Sequence, residues 1–294
     1  MSEKYVSVGG FRCFPLRDGA LVYPKEALFP GRSDADLADA LAPRPVPPEI
    51  TLNYAGLLVD TGKQRVLIDT GAGPLGPETG RLHENLKACG FTPEQIDVVI
   101  LSHMHPDHIG GLMTAEGEAR FPNAEVVVSQ TEYDFWTSET TQEKLKSKSL
   151  FGLGDLEHVM LTWIEKNVKP LVDAGKLRMT EGGFEPRPGV MTLPAGGHTP
   201  GHLAVLISDG KQQLLFAGDA ILHPLHVRYP AWETVFDVLP EQSVLTRLQI
   251  LDRCAQDHSL TFHFHFPFPC LGRISRWSGG YQWEEEKQGP GIKE

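Results

Sequence analysis

Short, nearly unbroken apolar runs punctuate this chain, and between them lie longer stretches with helical spacing. The runs at 98–101, at 190–193 and at Leu214-Leu215-Phe216-Ala217-Gly218 are four or five residues long and give way to turn-forming residues. Runs of that length, bounded in that way, read as buried strands. Residues 58–69 contain two more strands joined at Thr61-Gly62-Lys63, and Glu125–Ser129 is another. Leu82, Leu86 and Cys89 predict a helix stopped by Gly90. Thr92-Pro93-Glu94-Gln95 opens a short helix, with a capping box and proline at its first position. Residues 131–175 read as helices, the Lys-rich stretch at 144–148 forming a solvated face. Residues 1–25 read as an entry hairpin with Asp18-Gly19 as its turn. Residues 26–50 combine Pro30-Gly31, Ser33-Asp34, a short Ala/Leu-rich helix and Pro43, Pro45, Pro47 and Pro48. That is poor core material, so 1–50 is expected to act as an arm that covers a site or packs on a second subunit. Residues 219–237 read as a long loop, and Phe262, Phe264 and Phe266 alternate with His263 and His265 on an expected strand. Strands fall on both sides of helical segments, which is an α/β pattern, and there is no internal repeat.

The loop after the run at 98–101 carries the chemistry. His103-Met104-His105-Pro106-Asp107-His108 places three imidazoles and a carboxylate within six residues. Imidazole nitrogen and carboxylate oxygen are the ligands that zinc and similar cations take, and a tight loop at a strand end lets them converge. Further candidates repeat the arrangement downstream. His198 follows the run at 190–193, Asp219 follows the run at 214–218, and His263 and His265 lie near the C-terminus. A pair at i and i+2 on a strand faces one side, so spacing alone leaves His263 and His265 both open.

Taken in order, Val66-Leu67-Ile68-Asp69-Thr70-Gly71, the His-x-His-x-Asp-His loop, His198, Asp219 and a C-terminal His resemble the metallo-β-lactamase superfamily over roughly residues 50 to 275. The resemblance is nearest to the methyl parathion hydrolases and related lactonases, whose pattern His-x-x-Phe-Pro-x-x-Gly is met by His265, Phe268, Pro269 and Gly272. His263 would need glycine where Cys270 stands, so the resemblance selects His265. Gly197-His198-Thr199-Pro200-Gly201-His202, Phe236-Asp237 and Thr246-Arg247 also match that subgroup. What the resemblance implies is a four-layer αββα sandwich and two divalent cations, zinc by ligand type, with manganese, cobalt or iron as alternatives. His103, His105 and His198 would hold one metal, and Asp107, His108 and His265 the other. Asp219 would bridge them with a water or hydroxide. Asp69 would support the loop from behind, with His202 a turn residue and His223 and His226 near the pocket mouth. Asp107, a ligand with one oxygen to spare, is the expected catalytic proton shuttle.

Composition narrows the partners. A net charge of −11 over 294 residues argues against nucleic acid, whose phosphates call for a basic surface. No apolar run approaches the roughly 20 residues that span a bilayer, and Met1-Ser2-Glu3-Lys4-Tyr5-Val6 lacks a secretory core. Cys13, Cys89, Cys254 and Cys270 are widely spaced, which fits a reducing, cytoplasmic compartment. Asp69-Thr70-Gly71-Ala72-Gly73 lacks the Lys-Ser/Thr of a phosphate-binding loop. Within the superfamily, His105 argues against the redox di-iron branch, and His108 with Asp219 against true β-lactamases. The aromatic and acidic C-terminus, Trp277, Tyr281, Trp283 and Glu284 to Glu286 among it, argues against a thioesterase with a basic glutathione-binding segment. The expectation is a single 1–294 domain, a homodimer by analogy. It would hydrolyse small neutral lactones or esters by attack of a metal-bridging hydroxide. An organophosphate triester hydrolase is the alternative, ahead of a thioesterase or a non-catalytic metal-binding regulator.

Overall fold

The apolar runs become the middle strands of two facing sheets. The structure is a computed structural model that describes residues 5–43, 45–148, 150, 155–277 and 279–286. The first sheet runs in chain order: β1 (Val6–Val8), β2 (Phe11–Pro24), β3 (Glu49–Asp60), β4 (Arg65–Ile68), β5 (Val98–Ile100), β6 (Glu125–Ser129) and β7 (Leu177–Thr180). It is antiparallel from β1 to β4 and parallel from β4 to β7. The second contains β8 (Val190–Pro194), β9 (Leu203–Asp209), β10 (Gln212–Phe216), β11 (Leu260–Phe262), β12 (Leu271–Trp277) and β13 (Gly280–Glu285), also in chain order. Only its β10–β11 pair is parallel.

Strands covered on both faces need apolar side chains on both faces, and β4, β5 and β6 show why their sequences do not alternate. Val66, Ile68, Val98, Ile100 and Val127 point between the sheets, where they meet Val205, Ile207, Leu214, Phe216 and Phe262. Leu67, Val99, Val126 and Val128 point outward to Leu82, Leu86, Trp136, Leu145 and Ile164. Those come from helices Leu82–Ala88, Gln130–Thr137, Glu139–Lys146 and Asp155–Asn167. On the far side, Leu215 and Ala204 pack on Ile250, Leu251 and Cys254 of helix Pro240–Asp257. Three cores thus separate four layers, αββα, as expected.

Four local expectations are corrected. The hairpin turn is Gly9-Gly10 between β1 and β2, and Asp18 sits instead in a bulge where β2–β3 pairing shifts between Arg17 and Gly19. A bulge re-aims its side chain, and the buried Asp18 carboxylate accepts hydrogen bonds from the amides of Ala72 (2.9 Å), Gly80 (3.1 Å) and Leu82 (3.0 Å). It clamps the loop after β4, where Gly71 adopts φ +79° and a Cβ would lie 2.4 Å from the Asp18 carboxyl carbon. Nor is the 1–50 segment an arm throughout, because β1 and β2 take residues 6 to 24 into the sheet. Its short helices, Lys25–Leu28 and Asp34–Leu41, bury Leu28, Leu37 and Ala40 in the inter-sheet core, with Phe29 beside them. The 219–237 loop contains a helix, Pro224–Arg228, started by proline and capped by the His223 side chain. Finally, β11 stops at Phe262, so His263 and His265 lie in the turns after it and do not share a strand face.

Candidate metal centre

All seven expected ligand residues meet at one end of the sheets. β5 delivers Leu101 and Ser102, then the chain extends through His103 to His105 and enters a one-turn helix, Pro106–Ile109. The residue before a proline is pushed to extended backbone, and His105 sits at φ −67°, ψ 152°. Asp107 and His108 project from the turn that follows. His198 arrives from the loop after β8, Asp219 from the turn after β10 and His265 from the turn after β11. Two sets form, His103-His105-His198-Asp219 and Asp107-His108-Asp219-His265, with ligand atoms in each within 4.8 Å of one another.

Four of these imidazoles are oriented alike. Nδ1 of His108 faces Asp69 Oδ2 (2.8 Å), that of His198 faces Asp237 Oδ1 (3.0 Å), that of His265 faces the Asn53 carbonyl (3.0 Å), and that of His103 faces Ser102 Oγ (3.0 Å). An acceptor at Nδ1 puts the proton there and leaves the Nε2 lone pair to a cation. The four Nε2 atoms lie 3.3, 3.4, 3.0 and 3.8 Å, in the same order, from Asp219 Oδ2. Asp107 Oδ2 lies 3.6 Å from His108 Nε2 and 3.5 Å from His265 Nε2. Lone pairs facing a buried carboxylate at such distances repel unless a positive charge lies among them. Nε2 of His103 and Oδ1 of Asp219 are buried without a hydrogen-bond partner among the described residues, which is the state of atoms shaped for a cation. The donor set fits two divalent metals sharing Asp219.

Electrostatics divide the histidines into two groups. Burial, reinforced by neighbouring imidazoles, holds His103 and His105 well below the usual histidine range, which keeps them neutral as metal ligands must be. Burial works against the charge of Asp219, but His265 and His108 in their protonated forms outweigh it and hold the carboxyl well below its ordinary value. Burial likewise opposes the charge of His108 and His265, yet Asp219 and Asp107 raise both above the usual histidine range, so a cation bound there would displace their Nε2 protons.

The surrounding groups sort into expected and missed. Asp69 also accepts from the Ser102 amide and hydroxyl, both at 2.7 Å, and so fixes the loop from behind as expected. His202, pushed by burial to about 3, stays neutral and accepts the Asp219 amide at 3.0 Å. Beside it Gly218 has φ +53° and no room for a Cβ, which would lie 2.6 Å from His202 Nε2. His223 and His226 are not at the pocket mouth. His223 caps its own helix, and His226 is buried with Nε2 3.3 Å from the Leu28 carbonyl. The missed group is Glu132, wholly buried in the first turn of its helix. It accepts from the Met104 amide, the Thr199 hydroxyl, the Gly201 amide and Trp136 Nε1, tying the first histidine loop to the His198 loop. Its sequence, Gln130-Thr131-Glu132, offers only an acid in a helical first turn, so no local signal marks it.

His263 turns away from this centre. Its Nε2 lies 3.1 Å from Thr261 Oγ1, its ring stacks on Phe266 at 4.3 Å, and burial pushes it to about 3. His265→Ala is therefore expected to lose the Asp107-side metal and His263→Ala to retain both, measured by metal analysis after dialysis. Loss of a metal from His263→Ala alone would overturn the ligand assignment. Above the centre opens a pocket whose apolar walls include Leu52, Leu75, Met160, Leu222 and Phe236.

Comparison with known proteins identifies the family and the fold. A Bacillus N-acyl homoserine lactonase is 29% identical over 164 residues, which are 56% of this chain and 52% of the relative, so the chain spans about half the length of that curated relative. Among solved structures, the dizinc quorum-quenching lactonase AidC superposes with a TM-score of 0.86 at 27% identity, covering 97% of this chain and 98% of its own. The hydrolase AbOPH gives 0.85 at 26% identity, covering 98% of each chain. The Lactamase_B family, described as the metallo-beta-lactamase superfamily, matches residues 52–261. By that match the chain belongs to the metallo-beta-lactamase superfamily.

Proposed function

We propose that this protein is a dinuclear metal-dependent hydrolase of small neutral lactones or esters. The observation that carries the reading is Asp219, one carboxylate shared by two complete ligand sets. His103, His105 and His198 would hold one cation and Asp107, His108 and His265 the other, zinc being favoured by the histidine-rich donors and by the dizinc centre of AidC. Bound there, divalent cations lower the pKa of water to near neutrality and polarise a carbonyl oxygen. The chain's own residues do the rest. Leu52, Leu75, Leu222 and Phe236 take the apolar part of a substrate and shed water from it. Asp107 alone among the seven ligand-type residues is not fully buried, and it lines the pocket. Its carboxylate would hold a proton and pass it to the departing alkoxide oxygen. The reading includes one domain over residues 1–294, a homodimer, and a cytoplasmic location. The wide spacing of Cys13, Cys89, Cys254 and Cys270, with no Cys-x-x-Cys pair, supports a reducing compartment. No helix among the described residues is long and apolar enough to cross a membrane.

The test is kcat/KM on one metal form for an acyl homoserine lactone, dihydrocoumarin, an aryl acetate, a paraoxon-type triester, a glutathione thioester and nitrocefin. Neutral carbonyl esters are expected to lead. The apolar walls favour an uncharged substrate, and the net charge of −11 disfavours approach of anions. A lead for the triester would favour the organophosphate alternative. A glutathione thioester or β-lactam ahead of all neutral esters by about tenfold, or roughly 1.4 kcal/mol, would reject the lactone or ester assignment.

A further inference from the structure

The pocket holds one hydroxyl that neither ligand set uses. Tyr23, at the end of β2, lines the pocket beside Asp107, Asp219 and His265, and is the only hydroxyl-bearing residue among its described lining. Its hydroxyl is hydrogen-bonded to that of Tyr54 on β3. Tyr54 is wholly buried, its ring edge-on to His265 at 5.3 Å between centroids, and among the described residues its hydroxyl has no other hydrogen-bond partner. The Tyr23 ring is steadied by an edge contact with Phe236 at 5.5 Å.

A phenol has one proton to give, so only one of the two hydroxyls donates to the other. Donation by Tyr23 would leave the Tyr54 proton buried without an acceptor, a full desolvation penalty with nothing to offset it. Donation by Tyr54 leaves no proton stranded, because the Tyr23 O–H is then free to turn into the pocket. We propose that Tyr23 is a hydrogen-bond donor aimed at the substrate, locked in that role by Tyr54. It binds the carbonyl oxygen of a neutral lactone or ester and stabilises the negative charge that develops there. No proton leaves Tyr23 in this role. The Leu52, Leu75, Leu222 and Phe236 side chains around it offer no hydrogen-bond donor, and an apolar wall strengthens the one that is present. The proposal rests on the hydrolase reading above.

Kinetics and metal content of Tyr23→Phe and Tyr54→Phe test it on the metal-loaded protein. Tyr23→Phe is expected to lower kcat by about 100-fold, the size of losing one oxyanion donor, with metal content unchanged and Tm lowered, because the buried Tyr54 proton loses its acceptor. Tyr54→Phe frees the Tyr23 proton to wander and is expected to lower kcat by about fivefold, roughly one net hydrogen bond. Neutron diffraction of the wild type should place deuterium on Tyr54 Oη toward Tyr23. A Tyr23→Phe variant within threefold of an active wild type, or deuterium on Tyr23 directed at Tyr54, overturns the Tyr23 proposal and leaves the hydrolase reading standing. A wild type that hydrolyses none of the panel refutes the hydrolase reading itself, and the substrate role of Tyr23 with it.

Discussion

Asp219→Ala is expected to strip the protein of both metals, whereas His198→Ala removes one. The asymmetry follows from position. Asp219 Oδ2 lies within 3.0 to 3.8 Å of Nε2 on His265, His108, His198 and His103, which belong to both ligand sets. Without the carboxylate, buried imidazoles must gather two dications with no shared negative charge, and the electrostatic gain of each site falls steeply. Two-metal centres contribute several kcal/mol of transition-state stabilisation, so kcat/KM should drop on the order of 1,000-fold or more. Asp219 sits in a one-turn 3₁₀ segment, Gly218–Ala220, outside the regular strands, so the apo variant should fold and keep its circular dichroism spectrum. Metal analysis after gel filtration decides the matter. An Asp219→Ala protein that still carries both metals would rule out the shared-carboxylate centre.

Much of this site could be read from the chain because its parts are local or repetitive. His103, His105, Asp107 and His108 are neighbours in sequence, and His198 and Asp219 each follow an apolar run. The αββα layering was legible for a similar reason, since strands buried on both faces cannot alternate. The errors arose where a residue's partner is distant. Asp18 looks like a hairpin turn because Asp-Gly often is one, but its carboxylate belongs to amides 54 to 64 residues away. His263 and His265 look like one face of a strand because phenylalanines alternate with them. The hydrogen bond from the His263 amide to the Cys270 carbonyl instead closes a turn that separates the two rings. The 26–50 segment looks like poor core because prolines crowd its end, yet Leu28 and Phe29 are buried, Phe29 edge-on to Trp232 and the His223 ring. Composition averages over such segments, whereas burial is decided residue by residue.

Glu132 is the group with the least sequence signal and the largest expected effect on stability. Oε1 accepts from the Met104 amide at 2.9 Å and Trp136 Nε1 at 2.6 Å, and Oε2 from the Thr199 hydroxyl at 2.7 Å and the Gly201 amide at 3.1 Å. Burial pushes its pKa up and these four donors pull it down, with burial ahead. Removing the carboxylate strands four buried donors. Hydrogen bonds to charged groups contribute about 1.5–3 kcal/mol each, and relaxation recovers part of the loss. Glu132→Ala is therefore expected to lose on the order of 3–5 kcal/mol in denaturant unfolding, comparable to breaking a buried ion pair. Glu132→Gln separates architecture from charge. The amide oxygen can still serve Met104 and Trp136, and Thr199 can reverse its hydroxyl, but the amide NH₂ meets the Gly201 N–H donor to donor. The link to the His198 loop is then selectively weakened. The fold should survive, while metal affinity falls about 10- to 100-fold, as it does when a group behind a ligand is lost. The loss should be larger at the His103-His105-His198 site, because Met104 lies between two of its ligands and Thr199 follows the third. Competition with a chelator reads that affinity directly. If Glu132→Gln binds both metals as tightly as the unaltered protein, Glu132 is a packing group and the two loops are held together by something else.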